Sequence, residues 1–185
     1  MSEAEALRRQ VRELRAELDA LRVTLEVVGT LDLDSGILNR TGILDALERG
    51  QKWLKRRGDI YGVVVVNFPA LADDFRHGPE AIEFKTHVAA TIGAAVRDVD
   101  SVGRLDDETF AAVLADLNPG AIEVVAGRIG DLIERLVHST AELGGKYRIS
   151  GLEVLSAASS GAVLDQALEL SDQADPGPLL AQLDD

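Results

Sequence analysis

Cysteine is absent from the 185 residues, so disulfides, thiol chemistry and zinc–thiolate sites are excluded. Aromatic side chains make up only 4% of the chain, with a single tryptophan. Any core must therefore be assembled from Val, Leu, Ile and Ala. No apolar run approaches the ~18 residues of a membrane-spanning helix. The N-terminus is charged from its third residue and has no apolar segment of the secretory type. Cations are the minority: 19 Lys and Arg stand against 32 Asp and Glu, a net charge of −13. Such a field repels nucleic acid and anionic membrane, and neither is expected as a partner. His77, His87 and His138 show no metal-ligand spacing, and no Ser/His/Asp arrangement stands out. The expectation is a soluble, cytoplasmic protein with no metal and no cofactor.

What is present begins with periodicity. Hydrophobic residues make up 46% of the chain, enough for a sizeable core. Over residues 3–28 apolar residues fall at Ala4, Leu7, Val11, Leu14, Leu18, Leu21, Leu25 and Val28, in alternating steps of three and four. That spacing is a coiled-coil seam, with Val11, Leu18 and Leu25 at a and Leu7, Leu14, Leu21 and Val28 at d. Glu3 and Glu17 at g would face Arg8 and Arg22 at e across a parallel dimer. Pairs of this kind choose orientation more than they add stability, at roughly 0–1 kcal/mol each. A single long helix packed on its own domain is the alternative, but it would carry a wider apolar stripe. Gly29 and Thr30 are expected to end the helix. The resulting division is a dimerisation helix over 1–29, a folded domain over 30–175 and an acidic C-terminal tail over 176–185.

The folded domain alternates element types. Asn39 suits the N-cap of a helix running to about Lys55, with Ile43, Leu47 and Leu54 on one face. Trp53 reads as a partly buried edge residue. Residues 60–68, IYGVVVVNF, contain four consecutive valines, which implies a central strand buried on both faces. A second helix is expected from about Pro79 to Val96, with Ile82, Val88, Ala89, Ile92 and Val96 as its apolar positions. Short strands follow near 101–105 and 109–115. A third helix spans about Ala121 to His138, turning Ile122, Val125, Ile129, Leu132, Ile133 and Leu136 inward. The strand YRISGLEVL and a last helix from roughly Gly161 to Ala174 complete the order. Helix–strand–helix–hairpin–helix–strand–helix is an α+β pattern.

Several stretches together resemble the GGDEF domain, the catalytic module of bacterial diguanylate cyclases. DLDSGILNR, residues 32–40, is similar to that family's opening signature, Asp-x-Leu-Thr-Gly-Leu-x-Asn-Arg. Asp32, Gly36, Asn39 and Arg40 match it, and Asp34 departs from it. RDVDSVGRLDDETFAAVLAD resembles the run through the family's signature turn, with Arg97, Asp100, Val102, Arg104, Leu105, Phe110 and Leu114 in register. GVVVVNF and YRISGLEVL resemble its first and late strands. The resemblance spans about residues 31–174. It implies a nucleotide-cyclase-like, ferredoxin-like central sheet of antiparallel or mixed strands, flanked by helices. The family's last strand is not visible after Pro176.

The same resemblance implies where the chemistry would lie. The family joins two GTP molecules into cyclic di-GMP, one held by each subunit of a dimer. The signature turn here is DDETF: Asp106 and Asp107 stand at the two glycines, Glu108 at the acidic position, Thr109 at the glutamate and Phe110 at the phenylalanine. A carboxylate about 4 Å from a phosphate costs on the order of 4 kcal/mol at an effective dielectric near 20. Asn67 occupies the place of a metal-binding aspartate, and a neutral amide is a poorer Mg²⁺ ligand. Ala72 stands near the place of a phosphate-contacting lysine, and the guanine-holding segments are not recognisable in DDFRHGPEAIEF. The expectation is a catalytically inactive signalling or scaffold module acting through another protein, with Mg²⁺ relevant only if that expectation fails. Arg97 and Asp100 match the family's Arg-x-x-Asp product site, so a non-catalytic cyclic di-GMP receptor is the alternative. A divergent metal-dependent enzyme using Asp106, Asp107 or Glu108 is a third reading, against a plain solvated turn.

Overall fold

The computed structural model describes Leu14 and residues 29–69, 71, 79–139, 146–174 and 178–183. The seam residues Leu7, Val11, Leu18, Leu21, Leu25 and Val28 lie outside the described residues, as do Ala70 and residues 72–78. Leu14 is helical and half-exposed, and Gly29 and Thr30 are still helical.

Helix α1 (Arg40–Arg57) starts where Asn39 Oδ1 accepts the Gly42 amide at 3.1 Å. It closes at Gly58, whose φ of 75° is the left-handed conformation that glycine adopts without strain. Strand β1 (Ile60–Asn67) follows, then helix α2 (Pro79–Ala95). Strands β2 (Ser101–Arg104) and β3 (Thr109–Leu117) form the hairpin, and helix α3 (Ala121–Ser139) follows it. Strand β4 (Arg148–Val154), helix α4 (Ser160–Gln173) and strand β5 (Pro178–Leu183) end the described chain.

The sheet order is β2-β3-β1-β4-β5, with β1 antiparallel to both β3 and β4, and β5 parallel to β4. The fold is α+β: a mixed five-stranded sheet with helices on both faces. Strand β1 is central, as its valines imply, and Val63 to Val66 are at most 1% exposed. Alternation divides them. Val64 and Val66 face α2 and α3, with Phe110, Ala112 and Leu114 of β3 beside them. Tyr61, Val63 and Val65 face α1 and α4, with Ala111 and Val113. One strand thus supplies both cores, which is why it is apolar throughout.

Two expectations are corrected. Residues 178–183 are not a tail: they form β5, paired with β4 from Ile149↔Pro178 to Val154↔Leu183. The strand is held by a side chain distant in sequence. Glu153 is fully buried, accepting the Gln182 amide at 2.9 Å through one oxygen and the Gly120 N–H at 2.9 Å through the other. Ile82 is 55% exposed, so α2 turns Ala81, Phe84, Lys85, Val88 and Ile92 inward instead. Trp53 lies at the surface, with the Arg57 guanidinium 5.6 Å from its ring centroid.

Candidate functional site: a charge-locked hairpin tip

The site is assembled where the turn before α1 meets the tip of the β2–β3 hairpin. Asp32 organises that turn: its Oδ1 accepts the Ser35 amide at 2.9 Å and the Ser35 hydroxyl at 2.5 Å. Leu38 then bridges to the hairpin, its N–H donating to Val102 O at 3.1 Å and its carbonyl accepting from the Arg104 N–H at 2.7 Å. Gly103 permits this approach, since a Cβ there would sit 2.8 Å from the Leu38 carbonyl oxygen. At the far end of the turn, Asn39 also donates to the carbonyls of Gly29 and Leu31, tying the end of the leader helix to α1.

Arg104 is the hub. Its side chain is 11% exposed and donates to Asp32 Oδ2 at 2.6 Å, Asp107 Oδ1 at 2.6 Å and the Asp106 carbonyl at 2.9 Å. A second cation reaches the same point from α2. Lys85, 4% exposed, places its ammonium 3.3 Å from Asp107 Oδ1 and 3.4 Å from Asp34 Oδ2. Partial burial pushes the Asp107 carboxyl up, but the Lys85 ammonium and then the Arg104 guanidinium outweigh it and hold it below its ordinary value.

Within the turn the carboxylates of Asp106 and Asp107 take different partners, and the Glu108 backbone carbonyl takes a third. Asp106 Oδ1 accepts the Glu108 N–H at 2.9 Å, Asp107 faces Lys85 and Arg104, and the Glu108 carbonyl accepts the Phe68 N–H at 3.0 Å. Thr109 and Phe110 leave the turn altogether. They begin β3 and are buried at 3% and 0% exposure. Asn67 donates to Thr109 Oγ1 at 3.2 Å, while its Oδ1 is buried without a hydrogen-bond partner. A divalent cation at the end of β1 would therefore meet an amide oxygen, with the Asp107 carboxylate already committed. Among the described residues, no group of three or more His, Cys, Asp or Glu is arranged to hold a metal ion. Within the Asp106–Glu108 turn, Asp107 is thus ion-paired while Asp106 stays exposed to solvent.

Arg97 and Asp100 come together on the opposite flank of the hairpin. Asp100 is 3% exposed at its side chain, and both its oxygens are engaged. Oδ1 accepts the Ala115 N–H at 3.0 Å and an Arg97 guanidinium N–H at 3.3 Å. Oδ2 accepts the Arg97 backbone N–H at 2.8 Å and its Nε–H at 3.4 Å. Arg97 also donates to the Ala115 carbonyl. The pair closes the α2–β2 loop upon β3.

Lys85 is the site residue that sequence reading passes over. The signal was available: Ala81, Phe84, Lys85, Val88 and Ile92 share one helical face, and a lysine on a core face requires a partner. Which partner it meets depends on a turn some fifty residues away and is invisible to periodicity.

No family model matches the chain, and no curated protein matches it significantly in sequence. Solved structures do match. The coiled coil and GGDEF domain of DgcB from Caulobacter crescentus, in complex with c-di-GMP, superposes with a TM-score of 0.69 at 19% identity, over 95% of this chain and 100% of that one. The diguanylate cyclase SiaD from Pseudomonas aeruginosa, in complex with its activator SiaC, gives 0.69 at 17% identity, over 96% and 72%. The S helix–GGDEF–EAL portion of Vibrio cholerae LapD, bound to c-di-GMP, gives 0.69 at 15% identity, over 91% and 40%. The chain therefore has the GGDEF-domain fold. No described helix is long and apolar enough to cross a membrane.

Proposed function

We propose that the chain is a non-catalytic, GGDEF-like signalling module that acts through a protein partner and is paired by its N-terminal helix. One observation carries this reading: Lys85 and Arg104, the cations at the hairpin tip, are both committed to Asp107 of the chain's own signature turn. An incoming triphosphate would have to displace that carboxylate and then face Asp106 and Glu108. Asn67 at the end of β1 further weakens any Mg²⁺ site. Exclusion thus rests on cations already taken, with repulsion from the exposed Asp106 added to it. The complexes of its structural neighbours, SiaD with its activator protein and DgcB and LapD with c-di-GMP, support a signalling and partner-binding role. Pairing through the N-terminal helix rests on the heptad spacing alone.

The test is incubation of the purified chain with GTP and Mg²⁺, followed by chromatography. No cyclic di-GMP is expected, and steady accumulation would overturn the reading. The receptor alternative is tested by calorimetry with cyclic di-GMP on the wild type and Arg97→Ala. Because Asp100 already spends both oxygens internally, no heat is expected from either; heat from the wild type that Arg97→Ala removes would establish the receptor.

A further inference from the structure

We infer that Lys85 is a resident cation: its ammonium sits between Asp34 and Asp107 as an external cation would, and so locks the hairpin tip to α2 and to the turn before α1. The inference concerns the same site as the proposed function and rests on that reading, but it makes a separate claim about what holds the site shut.

Three observations converge. The residues come from three separate segments: Asp34 from the turn before α1, Lys85 from α2 and Asp107 from the hairpin. Asp34 and Asp107 are both departures from the GGDEF-type signatures that surround them. Two of the residues that set this chain apart therefore meet at one ammonium. Finally, the ammonium is buried while both carboxylates are exposed by more than two-fifths. A buried lysine is tolerated only when paired. Arg104 pairs with Asp32 and Asp107 at 2.6 Å and reaches Asp34 at 3.5 Å, so the two cations share both carboxylates, but only Lys85 ties them to α2. Removing the ammonium would leave the Asp32, Asp34 and Asp107 carboxylates to share Arg104 as their one remaining described cation, with a gap on the α2 side. That oxygen-rich gap suits a hard divalent ion.

The experiment uses the full chain, Mn²⁺ as probe and no nucleotide. Free Mn²⁺ is followed by electron paramagnetic resonance and stability by thermal melting. For the wild type, Mn²⁺ is expected to leave both unchanged. Lys85→Met is expected to melt lower, to take up Mn²⁺ and to recover melting temperature as Mn²⁺ is added. Lys85→Arg, which keeps a cation, should not take it up. Should Lys85→Met fail to fold, Lys85→Met/Asp34→Asn/Asp107→Asn is expected to fold again, since the two carboxylates that faced the ammonium are then neutral. Wild-type uptake of Mn²⁺ matching that of Lys85→Met would overturn the inference. So would a folded Lys85→Met indifferent to Mn²⁺, or a triple variant no better folded than the single. None of these outcomes bears on GTP turnover, so the inference and the non-catalytic reading can fail independently.

Discussion

Asp107 shows how one side chain changes meaning with its surroundings. Read along the chain, it is the middle of an acidic run. In the fold it is the shared acceptor of Lys85 and Arg104, and its carboxyl titrates below the ordinary range. A depressed carboxyl binds its proton less readily in the folded state, so its contribution is present above the unfolded value near pH 4 and is lost as pH falls through the folded value. Asp107→Asn should therefore lower the melting temperature at neutral pH and narrow its gap to the wild type as pH drops below about 4. Melting curves across the acid range check this, and a gap that widens toward low pH would contradict it. Tyr61 shifts the other way. Burial pushes its hydroxyl up to about 12, and burial, with Glu134 and Asp131 nearby, also raises Tyr147. Raised groups stabilise the fold below their unfolded value and cease to do so as pH climbs past it. Phenolate absorbance of the folded protein should therefore lag well behind its rise in urea, where ionisation centres near about 10. Coincident titrations would show that the tyrosines are not buried as described.

At the scale of elements, the joints carry most of the information. Asn39 holds three backbone groups: the Gly42 amide and the carbonyls of Gly29 and Leu31. Asn39→Ala removes the cap of α1 and its tie to the end of the leader, for an expected loss of about 1–2 kcal/mol in denaturant unfolding. Gly103→Ala presses a methyl group against Leu38 and Ile43, where the turn before α1 crosses β2. It should cost about 1–3 kcal/mol, as overpacking does. The hairpin, α1 and the two-faced central strand were all legible in sequence, because period and turn chemistry are local. Strand β5 was not. Its six residues follow a Pro-rich break and sit in an acidic stretch, and it becomes a strand only because β4 offers an edge and Glu153 a buried acceptor. Glu153→Ala should therefore loosen β5, read as faster amide exchange over 178–183 and over the start of α3, with β1 unaffected.

The whole molecule combines a two-sided core with an electrostatically closed tip. Both helical layers of the described domain pack on one central strand. On the proposed pairing through the N-terminal helix, deleting residues 1–28 should leave the melting transition largely intact and give a monomer by light scattering. A truncated chain that remains dimeric would move the pairing surface onto the domain itself. The strongly negative net charge falls on a molecule whose candidate site commits both of its described cations, Lys85 and Arg104, to its own carboxylates.

The sequence by itself determined the order of elements from α1 to α4, the central place of β1 and the similarity of the hairpin to a GGDEF turn. These follow from side-chain period and short-range turn preference, which operate within a few residues. Only the tertiary structure decided that Lys85 meets Asp34 and Asp107, that Asp100 is consumed by Arg97 and Ala115, and that the last residues join the sheet. Each of those joins groups from separate segments, and the energy of a charge or a backbone edge depends on what the fold brings within a few ångströms of it.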